Sequence, residues 1–159
     1  MRGTPGRLTP PAHVADQALL GSNVADAYRA ARQAFGHAGE SMDDEALGRL
    51  REAAMTLWCC ATFAEPFAAD QGKWLARRSR ELACLVDEHR DLDRLVEAAR
   101  RRDDALGSGA LTEIEAFADR RRRRLERRIV DRGKRLFATK PARVARSIAE
   151  DGPQDRSAR

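Results

Sequence analysis

The stretch Asp119-Arg120-Arg121-Arg122-Arg123-Arg124-Leu125-Glu126-Arg127-Arg128-Ile129 places seven arginines among the nine residues from Arg120 to Arg128, inside an apolar repeat. Leu111, Ile114, Ala118, Leu125, Ile129 and Leu136 recur at multiples of three and four. At the α-helical turn of 100° per residue they fall within a sector about 60° wide. This segment therefore reads as one amphipathic helix, starting near Ala110, rather than as a basic tail. Arg121, Arg124, Arg128, Arg132 and Arg135 occupy an adjoining sector about 80° wide, a cationic stripe bordering the apolar face. Arg120, Arg122, Arg123 and Arg127 point elsewhere, mostly to solvent.

Working outward, the rest of the chain follows the same period. Leu20, Val24, Ala27, Tyr28, Ala31 and Phe35 share a stripe, so a first helix is expected over roughly 12–35. Gly21 is a potential break, and Gly36 and Gly39 are expected to end the helix. A second helix is expected to open at Ser41, with Asp43, Asp44 and Glu45 suiting its positive end. Leu47, Leu50, Ala54, Leu57 and Ala61 form its apolar face, and Pro66 stops it near Ala64. A third helix is expected over about Lys73 to Arg101. Leu75, Leu82, His89 and Val96 are seven apart there, interleaved with Ser79, Val86, Leu92 and Ala99. Gly107-Ser108-Gly109 reads as a loop, and Pro141 should separate a short basic helix, Ala142 to Ala149. Four amphipathic helices with short connections predict an all-α antiparallel four-helix bundle over 12–149. Residues 1–11 and 150–159 have the composition of disordered ends.

Composition narrows the function. From Asp119 to Arg146 there are thirteen Lys/Arg against three acids, a balance of +10; the chain totals +5, so the remainder sums to −5. Positive charge gathered in one segment points to an extended anionic partner, although such runs also serve as solvated faces. A stripe at a core edge would line the groove beside the next helix, stems packed and guanidinium forks outward, able to hold several phosphates. The competing reading pairs the same arginines with acids on a neighbouring helix.

Other chemistries lack their residues. No run of about 20 apolar residues could span a membrane, and Met1 to Thr9 has no hydrophobic signal core. The cytoplasm is the expected compartment. Three cysteines, Cys59, Cys60 and Cys84, suggest small buried hydrophobes rather than a disulfide framework. No metal-ligand spacing, Ser-His-Asp set, Walker loop or glycine fingerprint occurs, so neither an enzyme nor a bound cofactor is expected. His89, on an apolar seam, is expected to be a core histidine satisfied by a neighbour. Trp58 and Trp74 read as packing residues. The few aromatics of the basic helix, Phe117 and Phe137, favour a bare phosphate polymer over single-stranded nucleic acid.

Four segments, in order, are similar to motifs of one family. Tyr28-Arg29-Ala30-Ala31-Arg32-Gln33-Ala34 resembles a Tyr-Arg-Arg-Gly-Arg-Arg-Ala stretch, and Asp44-Glu45-Ala46-Leu47-Gly48-Arg49-Leu50-Arg51-Glu52 resembles Asp-Glu-x-Leu-His-x-x-Arg-Lys. Leu85-Val86-Asp87-Glu88-His89-Arg90-Asp91-Leu92 resembles Leu-Gly-Glu-x-(His/Arg)-Asp-Leu. Gly133-Lys134-Arg135-Leu136-Phe137-Ala138-Thr139-Lys140-Pro141 is similar to Gly-x-Arg-Leu-(Tyr/Phe)-Ala-Glu-Lys-Pro. These motifs belong to the C-terminal half of the conserved histidine α-helical domain (CHAD) family. The resemblance covers roughly Val24 to Ile148.

The resemblance implies half of a double four-helix bundle that binds inorganic polyphosphate in a basic channel. Gly48, Glu52 and Met55 stand where the family has histidine or basic residues, and Ala30 and Gln33 replace two more. Carried over are Arg29, Arg32, Arg51, Arg90, Arg135 and Lys140; the helical stripe adds Arg121, Arg124 and Arg128. A homodimer would supply the missing half of the channel, and association with polyphosphate granules is left open. The alternatives are a diverged member that has lost the ligand, a nucleic-acid-binding helical protein, and an assembly module whose stripe pairs with an acidic partner.

Overall fold

The computed structural model describes residues 12–102 and 109–150, without the side chains of 12–17 and Ala69. Every regular element among them is a helix: α1 Ala12–Ser41, α2 Asp44–Ala64, α3 Ala69–Arg100, α4 Ala110–Leu136 and α5 Pro141–Glu150. The termini expected to be disordered lie outside the described residues, apart from Glu150, which closes α5. The glycine loop does too, apart from Gly109, which precedes α4.

The apolar spacings become the core. Every one of the eight seam residues of α3, from Leu75 to Ala99, is buried, as are Leu47, Leu50, Ala54, Leu57 and Ala61 of α2. On α4, Ala118, Leu125, Ile129 and Leu136 are buried, while Ile114 packs against the core's edge. Helices this long gain most of their stability from such packing rather than from intrinsic propensity.

Packing also overrides two expected boundaries. Gly36 and Gly39 lie inside α1, which continues to Ser41. Each costs about 1 kcal/mol relative to alanine, but Ala38 between them is fully buried and holds this last turn to the core. The stop comes from Met42, whose φ of 50° is left-handed; its N–H donates to the Ala38 carbonyl at 3.0 Å. The cap of α2 is Asp43 rather than Ser41, its carboxylate accepting from the Ala46 N–H at 2.8 Å. α1 also runs unbroken through Gly21. A Cβ there would lie 3.0 Å from the Ala145 carbonyl oxygen, so glycine permits close approach of α5 instead of a break.

Neighbours in sequence are neighbours in space: α1 packs on α2, α2 on α3 and α3 on α4, while α5 folds back on α1. Arg100–Glu115, Asp93–Arg122 and His89–Glu126 descend α3 as they ascend α4, so these two helices run antiparallel. Arg51–Asp87 and Asp44–Arg90 show the same for α2 and α3. α1 meets α4 at the latter's C-terminal end. There Phe35 covers Gly133, Phe137 packs against the rings of Phe35 and Tyr28, and the Tyr28 hydroxyl lies 2.9 Å from both the Leu136 and Thr139 carbonyl oxygens. No described helix is long and apolar enough to cross a membrane.

Candidate functional site

On α3, Lys73, Arg77, Arg80, Cys84 and Glu88 step by three and four and so share one face, the face opposite the apolar seam. On α4 the cationic stripe runs parallel to it. Antiparallel packing brings Arg128 and Arg132 beside that face of α3, and Trp58 of α2 closes the other side. Together they enclose an open depression of about 840 Å³, floored by Ala76, Cys84 and Leu85.

Charge here is unbalanced. Of the depression's carboxylates, Glu81 accepts from Arg78 at 2.9 Å and Glu88 is gripped by the Arg121 guanidinium. Lys73, Arg77, Arg80, Arg128 and Arg132 have no carboxylate within ion-pair distance among the described residues. The Arg80 guanidinium lies over the Trp58 ring, 5.4 Å from its centroid. An exposed cation held against an indole stays dehydrated on one face and open on the other.

A second groove, about 660 Å³, lies between α3 and α4 towards the opposite end. Carboxylates dominate it, among them Asp93, Glu97, Glu115, Asp119 and Glu126. Here both arginines are matched: Arg100 with Glu115 at 2.8 Å, and Arg122 with Asp93 at 2.8 Å and Asp119 at 2.7 Å, and the carboxylates remain in excess. Arg122 is thus not among the solvent-facing arginines; its side chain is only 21% exposed. His89 sits in the wall, its side chain 6% exposed, with Glu126 at 3.5 Å and Asp93 at 3.9 Å. Each ring nitrogen of this core histidine therefore faces a carboxylate at ion-pair distance without closing a hydrogen bond. Among the described residues, no three His, Cys, Asp or Glu side chains gather as a metal site would require.

The nine residues singled out from sequence do not converge. Arg121 and Arg128 belong to the depression or its rim, while Arg124 is exposed between them and Arg135 is exposed farther along α4. Arg51 is bound to Asp87 at 2.6 Å, which holds its pKa above the ordinary value, and Arg90 to Asp44 at 2.8 Å. Arg90 also covers Gly48: its Nη1 lies 3.9 Å from where a Cβ would be. Arg29 pairs with Asp26 on the α1–α5 side, Arg32 is exposed on α1, and the Lys140 carbonyl oxygen accepts from the first turn of α5.

Lys73, Arg77 and Arg80 are the functional candidates that composition hides. Their signal is the three- and four-residue spacing of cations opposite the seam. Over the whole of α3 seven acids balance seven Lys/Arg, so the helix carries no net charge. Two of the cysteines also depart from expectation. Cys59 and Cys84 are exposed, and only Cys60 is partly buried, with burial pushing its thiol pKa up.

No protein family matches the chain, and no curated protein or solved structure shows significant similarity to it.

Proposed function

We propose that this chain is a non-enzymatic polyanion-binding module whose ligand is inorganic polyphosphate, held in the depression on α3. The observation that carries this is the asymmetry of pairing. Arginines around the acidic groove are matched by carboxylates, whereas five cations from α3 and α4 meet in one concavity unmatched. Like charges brought together cost stability, and an anionic ligand removes that cost while gaining charge-assisted hydrogen bonds. The consecutive antiparallel pairs support an antiparallel four-helix bundle, half of a CHAD-type double bundle in which a second copy would supply the other half. A cytoplasmic site, on or near polyphosphate granules, goes with that reading.

Five phosphate contacts imply a slope of log affinity on log salt of about −3.5, using about 0.7 per contact on a single-stranded polyanion. Affinity should then fall roughly 100-fold between 50 and 200 mM salt. In Arg128→Ala/Arg132→Ala three contacts remain, and the fall should shrink to roughly 20-fold. Calorimetric titration with long-chain polyphosphate at both salts tests this. Wild-type-like affinity and slope in the double variant would remove the site from the depression. Duplex DNA as competitor separates the nucleic-acid reading.

The acidic groove favours a second reading, an assembly module in which the depression of one copy meets the carboxylates of another. It predicts a ligand-independent oligomer in sedimentation, dispersed by salt.

A further inference from the structure

A phosphate polymer needs cations and nothing else, yet the depression has an apolar side. Trp58 packs against the core with part of its ring open, next to Ala76 and Leu85. Arg80 is laid over that indole without a carboxylate to draw it there. Guanidinium planes and aromatic rings are the surfaces on which proteins stack nucleobases. The depression's size, about 840 Å³, also falls within the roughly 300–1,000 Å³ range of pockets for one small ligand.

We infer that the depression takes a nucleoside polyphosphate, its base stacked on the Arg80–Trp58 pair and its phosphates on Arg77, Arg128 and Arg132. This rests on the polyanion reading and adds a second ligand class to the same cations, one whose base uses the Arg80–Trp58 face that inorganic polyphosphate does not. Orientation follows from charge. Glu65, beside the turn from α2 to α3, has no cation partner among the described residues and repels phosphate. The phosphates therefore lie towards Arg128 and Arg132 and the base lies towards Trp58, where Glu65 can accept from an exocyclic amine.

The test compares adenosine and guanosine triphosphates with inorganic tripolyphosphate, by calorimetry on the full chain at one ionic strength. Base stacking on an aromatic platform predicts that at least one nucleotide binds roughly 5- to 100-fold tighter than tripolyphosphate. Trp58→Ala should abolish that ratio and leave tripolyphosphate affinity unchanged, with Trp58→Phe restoring most of the preference. Because Trp58 is partly buried, Arg80→Met provides an exposed alternative that must also collapse the ratio. Equal affinity of wild type for the nucleotides and tripolyphosphate overturns the inference and leaves polyanion binding standing. A preference that survives both Trp58→Ala and Arg80→Met overturns it as well. Binding of neither ligand class overturns the polyanion reading, and the inference with it.

Discussion

Gly133→Ala separates propensity from packing with opposite signs. In a helix interior alanine is favoured over glycine by about 1 kcal/mol, so an α4 making no close contact at this turn would be stabilised. Instead, a Cβ at Gly133 would meet three atoms of the Phe35 ring well short of the 3.4–4 Å of ordinary contact. The ring cannot retreat cheaply, since it stacks on Phe137, itself against Tyr28, with 5.4 Å between centroids at each step. Expelling Phe35 forfeits about 1.5–3 kcal/mol of burial. Net of propensity, the variant should lose about 0.5–2 kcal/mol, and the midpoint temperature should fall roughly 1–8 °C. The Phe35→Ala background supplies the control: with the ring gone, the methyl added by Gly133→Ala should stabilise by up to about 1 kcal/mol. Urea unfolding of all four proteins, followed by circular dichroism, reads the sign in each background. If Gly133→Ala stabilises the protein that retains Phe35, α1 does not lie against α4 as described.

Tyr28 is the sole tyrosine, so tyrosinate absorbance reports it alone; burial pushes its phenol up, against the pull of Arg32. The native midpoint should exceed that in denaturant. Stability should be intact below the unfolded value near pH 10 and decline as pH rises from there towards the folded value. Tyr28→Phe should remove that alkaline decline and cost about 1–3 kcal/mol at neutral pH, because the buried Leu136 carbonyl loses its phenolic donor. His89→Leu deletes two buried nitrogens without hydrogen-bond partners, so it should be neutral or stabilising by about 1 kcal/mol; a loss above about 2 kcal/mol in thermal unfolding would mean the ring is satisfied in solution. Cys84 lines the depression and Cys59 is exposed elsewhere, so tripolyphosphate should slow alkylation of Cys84 alone, measured by peptide mass mapping.

Apolar spacing made the helices legible because each seam residue is buried for the reason its period suggests. α3 shows this best: even Ser79 and His89, polar by composition, are buried where the seven-residue repeat places them. Ends were harder to read. Gly36 and Gly39 signal a stop by propensity, but the burial of Ala38 outweighs it, a tertiary term with no local signature. The site was half legible. The arginine stripe of α4 announces itself by density, whereas Arg77 and Arg80 matter because of what lies across from them. Arg51 and Arg90, singled out alongside the stripe, turn out to be tied to Asp87 and Asp44. A count of arginines cannot distinguish a paired cation from an unpaired one.

That distinction follows from register. Antiparallel packing sets the acid-rich C-terminal half of α3, with Glu88, Asp93 and Glu97, beside the N-terminal half of α4. Arg121 and Arg122 are consumed there in partly exposed ion pairs. The same packing sets Lys73, Arg77 and Arg80 beside the half of α4 that carries Arg128 and Arg132, where cation meets cation. Parallel packing of the same two helices would have matched acids to arginines along their whole length. The fold therefore segregates charge that its sequence could have neutralised. The unmatched half stands beside an indole, and that coincidence of bare cations with an aromatic face gives the depression, rather than the longer arginine run, its claim to a ligand.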